Sequence, residues 1–479
     1  MKIIVNCKFF FNFNTIFYIY FIIFFKLMLE LKYAGGTIII KGDIKLNFPD
    51  FVHYDPRIDC YRCYASKFSE LEEFLKKNNV KYDAKVFDLP QGNFEVIKHV
   101  SLRDYQYEAI EAWDKEKRGI IVIPTGAGKT YIALAIMAYL KVPTLIVVPT
   151  LELMEQWYSR IKEHFRTNIG LFGGGSKEIG YVTIITYDSA YINAELIGNK
   201  FLFIIFDEVH HLPSEGFRQI ALLSASPYRL GLTATPERED GLHELYPELV
   251  GEVVYRKSIS EMTGKYLAPF EILRYYVSLN DEEKEKYEKY RSIFKKFFED
   301  NGIQIKSLDD FYQMILRSGK DKKAREALLA WNEARKIALN ASAKIEVLKE
   351  ILQEHKGERI IIFTEHNKLA REISSKFFIP EITYKTPEKE RILTMERFRK
   401  GIYNVLVTSK VLEEGVDVPE ANVAIILSGS GSRREFMQRL GRILRPKANK
   451  TAKLYEIITK GTTEVNVSYR RRIREEYFD

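Results

Sequence analysis

Residues 119–130 read GIIVIPTGAGKT. Backbone N–H groups exposed by a tight turn, together with the positive end of a following helix, hold phosphate. Gly126 and Gly128 bracket such a turn, with Thr125 and Ala127 between and beside them. Lys129 is placed to reach the β and γ phosphates, and the Thr130 hydroxyl to hold Mg²⁺. The general pattern asks for a glycine five residues before the second glycine, and that position is Ile123. The segment FLFIIFDEVHH puts Asp207 and Glu208 at the end of an apolar run. Ligands of open α/β sheets sit at such strand ends. Asp207 would hold Mg²⁺ directly or through water, and Glu208 would orient or deprotonate an attacking water. The expected cofactors are therefore ATP and Mg²⁺, and the expected reaction is ATP hydrolysis.

Further along, GLTATP carries Thr233 and Thr235, whose hydroxyls could link a hydrolysis site to a nucleic-acid face. IIFTEHN ends in polar residues, with Thr364 placed to touch a phosphate backbone. In VTSKVLEEGVDVPEA, Gly415 allows close backbone approach, and Asp417 could accept from a ribose or an arginine. QRLGRILRP contains Gln438, Arg439, Arg442 and Arg445. On a helix the three arginines lie near one face, where they repel one another unless an anion sits opposite. A γ-phosphate is such an anion, and an arginine finger contributes on the order of 10³–10⁵ in rate. Gln438, Arg442 and Arg445 thus join Lys129 and Glu208 as catalytic candidates.

These residues need elements to position them. From about residue 99, short apolar runs (GIIVI, TLIVV, YVTIIT, FLFIIF, RLGLTA) alternate with helical stretches. That rhythm indicates a parallel sheet covered on both faces. Residues 281–345 are charged and helical, and then the alternation returns with ERIIIF, EITY, NVLVTS and NVAIIL. Residues 28–98 read as a small α+β module, with TIIIKG and KVFDLP as strands and SELEEFLKKNN as an amphipathic helix. The expected fold is α/β, with two parallel-sheet lobes at 99–255 and 256–479. A helical insertion at 281–345 interrupts the second.

The chain has 479 residues, and 46% are hydrophobic, enough for about three domains. Its net charge of +8 is a mild bias toward a polyanion. Three cysteines (Cys7, Cys60, Cys63) exclude a disulfide scaffold and suit a reducing, cytoplasmic setting. Cys60 and Cys63 form a CxxC without a second half-site, so a four-ligand zinc site is incomplete. Residues 9–25 read FFFNFNTIFYIYFIIFF, shorter than a membrane span and interrupted by Asn12 and Asn14. Their restriction to AT-rich codons suggests translated non-coding sequence, with the natural start at Met28. No membrane association is expected unless that run is real.

Taken in order, LRDYQ, PTGAGKT, VVPTLELMEQW, TIITYDSA, DEVHH, LTATP, IIFTEHN, SKVLEEGVDVP and QRLGRILRP resemble the superfamily 2 helicases across most of residues 99–460. DEVHHLP, the PERED stretch and the helical region resemble the XPB family in its short archaeal form. The resemblance implies two RecA-like lobes with a thumb-like insertion, and a small N-terminal domain associated with damaged DNA. It also implies 3′-to-5′ movement on DNA, with single-stranded, forked or damaged DNA as partner, a repair role and a possible nuclease partner. By analogy Arg103 and Gln106 would contact adenine, Arg442 and Arg445 the γ-phosphate, and Arg238, Glu239 and Asp240 would act near strand separation. A duplex translocase that does not unwind and an RNA helicase remain alternatives. So does a non-hydrolysing clamp, against which Glu208 and the arginines speak.

Overall fold

The computed structural model describes residues 28–42, 46–238, 240–302, 308–409, 421–429 and 451–472. The chain divides into two compact units, Met1–Val122 with Thr130–Arg256, and Ile123–Lys129 with Lys257–Asp479.

The first unit begins with a five-stranded sheet, β1 (Leu29–Ala34), β2 (Thr37–Lys41), β3 (His53–Asp55), β4 (Cys60–Tyr64) and β5 (Tyr82–Lys85), in the order β3-β4-β2-β1-β5. Gly35 and Gly36, at φ 52° and 81°, make the two-residue turn between β1 and β2. That turn needs positive φ at both positions, which glycine adopts without strain. The helix Phe68–Lys77 covers one face by burying Phe68, Leu71 and Leu75. KVFDLP, expected as a strand, contributes only Lys85 to the sheet. Its next backbone groups bond elsewhere: Asn199 Nδ2 donates to the Val86 carbonyl, and Asp88 N to the Asn199 carbonyl.

Beyond the small module come β6 (Phe94–Val96), β7 (Arg118–Val122), β8 (Thr144–Val148), β9 (Phe165–Thr167) and β10 (Ile169–Gly173). They are followed by β11 (Ser176–Lys177), β12 (Val182–Thr186), β13 (Phe203–Asp207), β14 (Tyr228–Thr233) and β15 (Val253–Arg256). Eight of them form one sheet, β11-β10-β12-β8-β13-β14-β7-β15, parallel except for β11. β8, β12 and β13 are buried along their whole length, as their unbroken apolar runs require. The small module is seated on this lobe. Tyr33 donates its hydroxyl to the carbonyls of Glu195 (2.8 Å) and Leu223 (3.2 Å), and Ala225 joins the module's core.

The second unit holds a six-stranded parallel sheet of β16 (Phe270–Val277), β17 (Ile360–Phe363), β18 (Glu381–Ile382), β19 (Val405–Thr408), β20 (Val423–Ile426) and β21 (Ala452–Thr459). Their order is β16-β21-β20-β17-β19-β18. Among the described residues four helices lie between β16 and β17 in sequence, and the first three, Asp281–Asn301, Leu308–Ser318 and Lys322–Leu339, form the helical arm. The third turns Ala324, Ala327, Ala330, Ala334 and Ala338 inward, and these small side chains let the first helix approach closely. The helical arm ends at Leu339 rather than at 345. The next helix, Ala343–Glu354, already packs Ile345, Leu348 and Ile351 into the core of the sheet. Among the described residues, no helix is long and apolar enough to cross a membrane. The expectations for residues 1–27 lie outside the described residues.

Candidate nucleotide-hydrolysis site

The glycine loop leaves the C-terminal end of β7, and the helix Lys129–Leu140 follows it. Gly126 and Gly128 have φ 83° and 82°, which L side chains rarely adopt. Ala127 N closes the turn on the Pro124 carbonyl at 3.2 Å. The Thr125 hydroxyl is buried without a hydrogen-bond partner, an unusual state for a buried polar atom. Lys129 Nζ lies 3.4 Å from the Ile123 carbonyl, at the position where the general pattern has a glycine.

Two strands away in the same sheet, β13 ends in Asp207, which is 6% exposed. Three donors fix it. Trp157 Nε1 reaches Oδ2 at 2.8 Å, the Glu208 N–H reaches Oδ1 at 3.0 Å, and the Tyr187 hydroxyl reaches the Asp207 carbonyl at 3.1 Å. Burial, with the Asp207 charge beside it, raises the Tyr187 pKa and keeps that hydroxyl a donor. Glu208 then turns the chain with φ 49° and ψ 56°. A non-glycine residue in that region carries strain of about 1 kcal/mol or more. The turn starts the short 3-10 helix Val209–His211 and lifts the Glu208 carboxylate off the strand.

His210 is fully buried. Its Nδ1 lies 3.4 Å from Glu208 Oε2 and 3.2 Å from Thr233 Oγ1 at the end of β14. Thr233 Oγ1 bonds the Thr235 backbone in both senses, to its carbonyl at 3.2 Å and from its N–H at 3.1 Å. The structure therefore brings Asp207, Glu208, Thr233 and Thr235 into one network through His210. Arg238 extends that network. It donates to the His210 carbonyl and pairs with Asp240 through Nε (2.9 Å) and Nη2 (2.5 Å). The Arg238 guanidinium holds the Asp240 carboxyl down at about 2.

Other expected site residues stand differently. Gln106 is buried and caps its own helix, its Oε1 accepting from the N–H of Arg103 at 2.9 Å, while Arg103 is exposed. Thr364 was expected to offer its hydroxyl to a phosphate backbone. It is instead fully buried, with that hydroxyl against the His366 and Thr408 carbonyls at 3.3 and 3.4 Å, because its backbone continues the β17 ladder inward. Glu239, Gly415, Asp417, Gln438, Arg439, Arg442 and Arg445 lie outside the described residues. Cys60 and Cys63, three apart on β4, face opposite sides of the sheet, and no metal-binding group of three acidic, histidine or cysteine residues occurs among the described residues.

Sequence reasoning missed Trp157, Tyr187 and His210. The signal for Trp157 and Tyr187 was available. An indole or phenol inside an apolar amphipathic pattern must find a polar partner when buried.

Comparison with known proteins follows the same division of the chain. Residues 31–86 match the Xeroderma pigmentosum group B helicase damage recognition domain. Residues 99–238 match the family described as type III restriction enzyme, res subunit, and residues 343–447 match the helicase conserved C-terminal domain. The chain is 50% identical over 447 residues to a DNA 3′-5′ translocase XPB2 of Sulfurisphaera tokodaii, covering 93% of this chain and 100% of that one. It is 32% identical to a DNA 3′-5′ helicase XPB of Mycobacterium tuberculosis, covering 78% of this chain and 63% of that one. In fold it is similar to the helicase domain of Pyrococcus furiosus Hef. The TM-score is 0.51 at 21% identity, over 78% of this chain and 98% of that one. With 50% identity to the Sulfurisphaera tokodaii protein over 93% of this chain and the whole of that one, this protein belongs to the XPB family of superfamily 2 helicases.

Proposed function

We propose that this chain is an ATP-driven motor that moves 3′ to 5′ on DNA and serves the repair of damaged DNA. The observation that carries the reading is the braced carboxylate pair. Asp207 is held by three donors, and Glu208 is turned off the strand at the sheet edge from which the glycine loop also emerges. The printed names of the relatives support the direction of movement, and the match at 31–86 supports the damaged-DNA assignment.

The loop residues fit a triphosphate. Two glycines at positive φ shape the turn, and the buried Thr125 hydroxyl has no protein partner. Thr130 and Asp207 fit Mg²⁺ bound mainly through phosphate and water, since Mg²⁺ seldom recruits more than one or two carboxylates. Bound ATP with Mg²⁺ supplies a polarised γ-phosphoryl group. Lys129 would neutralise its oxygens, and the backbone of Gly126, Ala127 and Gly128 would line the phosphates. Glu208 orients the attacking water and takes its proton, with His210 holding the carboxylate against Thr233. Arg103 and Gln106 contact the adenine. Arg442 and Arg445, with Gln438, would meet the γ-phosphate, while Gly415 and Asp417 would serve the ribose side. Loss of that phosphate would release these contacts at each turnover. A nuclease is the partner class that such a repair motor would serve.

ATP hydrolysis compared with single-stranded DNA, duplex DNA and RNA tests the reading, beside strand-displacement and triplex-displacement assays. DNA should stimulate hydrolysis and RNA should not. Stimulation by RNA alone overturns the DNA assignment. Triplex displacement without strand displacement reduces the motor to a duplex translocase.

A further inference from the structure

We propose that Arg238 is a positioning residue for ATP hydrolysis, capping the turn that carries Glu208, rather than a contact to nucleic acid. The inference rests on the assignment of Glu208 as the water-activating residue. The Val209–His211 helix is a single turn, with its Val209 carbonyl accepting from Leu212 N (2.9 Å) and its His211 carbonyl from Ser214 N (3.3 Å) and Oγ (2.9 Å). The carbonyl between them cannot be met by the backbone in the same way. The residue three beyond His210 is Pro213, which has no N–H to return. Arg238 supplies a donor to that carbonyl through Nη1.

The guanidinium is held in turn. Asp240 takes Nε and Nη2 side by side, and its Oδ1 also accepts from the Leu242 N–H at 3.2 Å. Arg238 is only 16% exposed on its side chain, whereas Asp240 is 46% exposed. The chain of contact runs Asp240, Arg238, the His210 carbonyl, the His210 ring, then Glu208 and Thr233. Without the cap, the strained φ of Glu208 has less to hold it, and the carboxylate loses its fixed direction. ATP contacts through the glycine loop do not pass through this chain, so turnover should change while nucleotide affinity does not.

The test is steady-state ATP hydrolysis without DNA in the full chain. Arg238→Met should lower kcat about tenfold, the scale of a hydrogen bond from a charged donor, with KM for ATP within about twofold. Arg238→Lys should recover part of the loss, because an ammonium still reaches the carbonyl but cannot pair with Asp240 on two atoms. Asp240→Asn should fall between, and the double variant should be no slower than Arg238→Met, since Asp240 acts through the arginine. Thermal midpoints of all variants should stay within a few degrees of the parent. Three results overturn the proposal: unchanged DNA-free kcat with DNA stimulation lost, KM rising as the thermal midpoint falls, or additive losses in the double variant. Glu208→Gln measured alongside separates two failures. Loss there without loss in Arg238→Met overturns the brace alone, and retained turnover there overturns the reading beneath it.

Discussion

At the C-terminal edge of the eight-stranded sheet, Glu208 sits at φ 49° and the loop beyond β7 buries a Thr125 hydroxyl with no partner. At the opposite edge Arg229, at the start of β14, is fully buried, yet each of its three guanidinium nitrogens donates a hydrogen bond. It donates to the carbonyls of Ser226 (3.2 Å), Leu249 (2.5 Å) and Ser224 (2.7 Å), and its own carbonyl accepts from Trp113 Nε1 at 2.8 Å. Burial pulls its pKa down, but arginine stays charged, so those carbonyl dipoles stand where a carboxylate would be expected. Both edges hold non-glycine residues at positive φ, Glu208 at one and Lys117 and Lys141 at the other, but one keeps an unfilled buried polar atom while the other satisfies its buried cation within the protein. Such imperfections persist where a ligand completes them, and a fold that satisfies its anchoring edge can tolerate them at the working one.

Four substitutions or reagents would sharpen or break that contrast. Lys129→Ala at the working edge should cut turnover by about 10²-fold or more and weaken ATP binding with it, while leaving the thermal midpoint nearly unchanged. Parental hydrolysis rates would remove the loop from the chemistry. Arg229→Leu at the anchoring edge should do the reverse. Leaving buried carbonyls without donors should cost about 3 kcal/mol of stability in urea unfolding, with kcat of the folded fraction intact.

Gly198→Ala probes the module seat beside that edge. A Cβ there would lie 2.1 Å from the Leu223 carbonyl oxygen and 2.3 Å from the Tyr33 hydroxyl. It should lose about 1–3 kcal/mol and raise hydrogen exchange in β1 and β2 before the eight-stranded sheet is affected. Uniform exchange across both would mean the module is not separately seated.

The smallest effect concerns Cys63, whose thiol is pushed up to about 12 by burial. Alkylation of the native protein at pH 8 should spare it. Between pH 9 and 12 the unfolded chain ionises this thiol and the folded chain does not, so its share of stability falls as pH rises through that window. A Cys63→Ala variant whose stability varies equally with pH over that range would contradict the assignment.

Much of this organisation was legible in the residues. The unbroken apolar runs of β8, β12 and β13 could only be buried parallel strands, and PTGAGKT and DEVHH announced their positions at strand ends. The amphipathic helix Phe68–Lys77 followed from its own spacing. What could not be read was long-range. KVFDLP has strand composition, but Asn199, more than a hundred residues away, takes its backbone groups. Thr364 looked like a strand-end contact, and only the neighbouring β19 shows where its hydroxyl goes. His210 reads as part of a motif, but its link to Thr233 depends on which strands are neighbours. The Arg238 cap was half visible, since Pro213 announces a carbonyl in need of a donor without saying which donor comes.

The proposed role of Glu208, activating the attacking water, is examined directly by Glu208→Gln. ATP binding and hydrolysis should be measured on the same preparation, with saturating DNA. Affinity should stay within a few fold of the parent while nearly all turnover disappears. Hydrolysis at the parental rate would contradict the account, and the strained turn at the end of β13 would need another purpose.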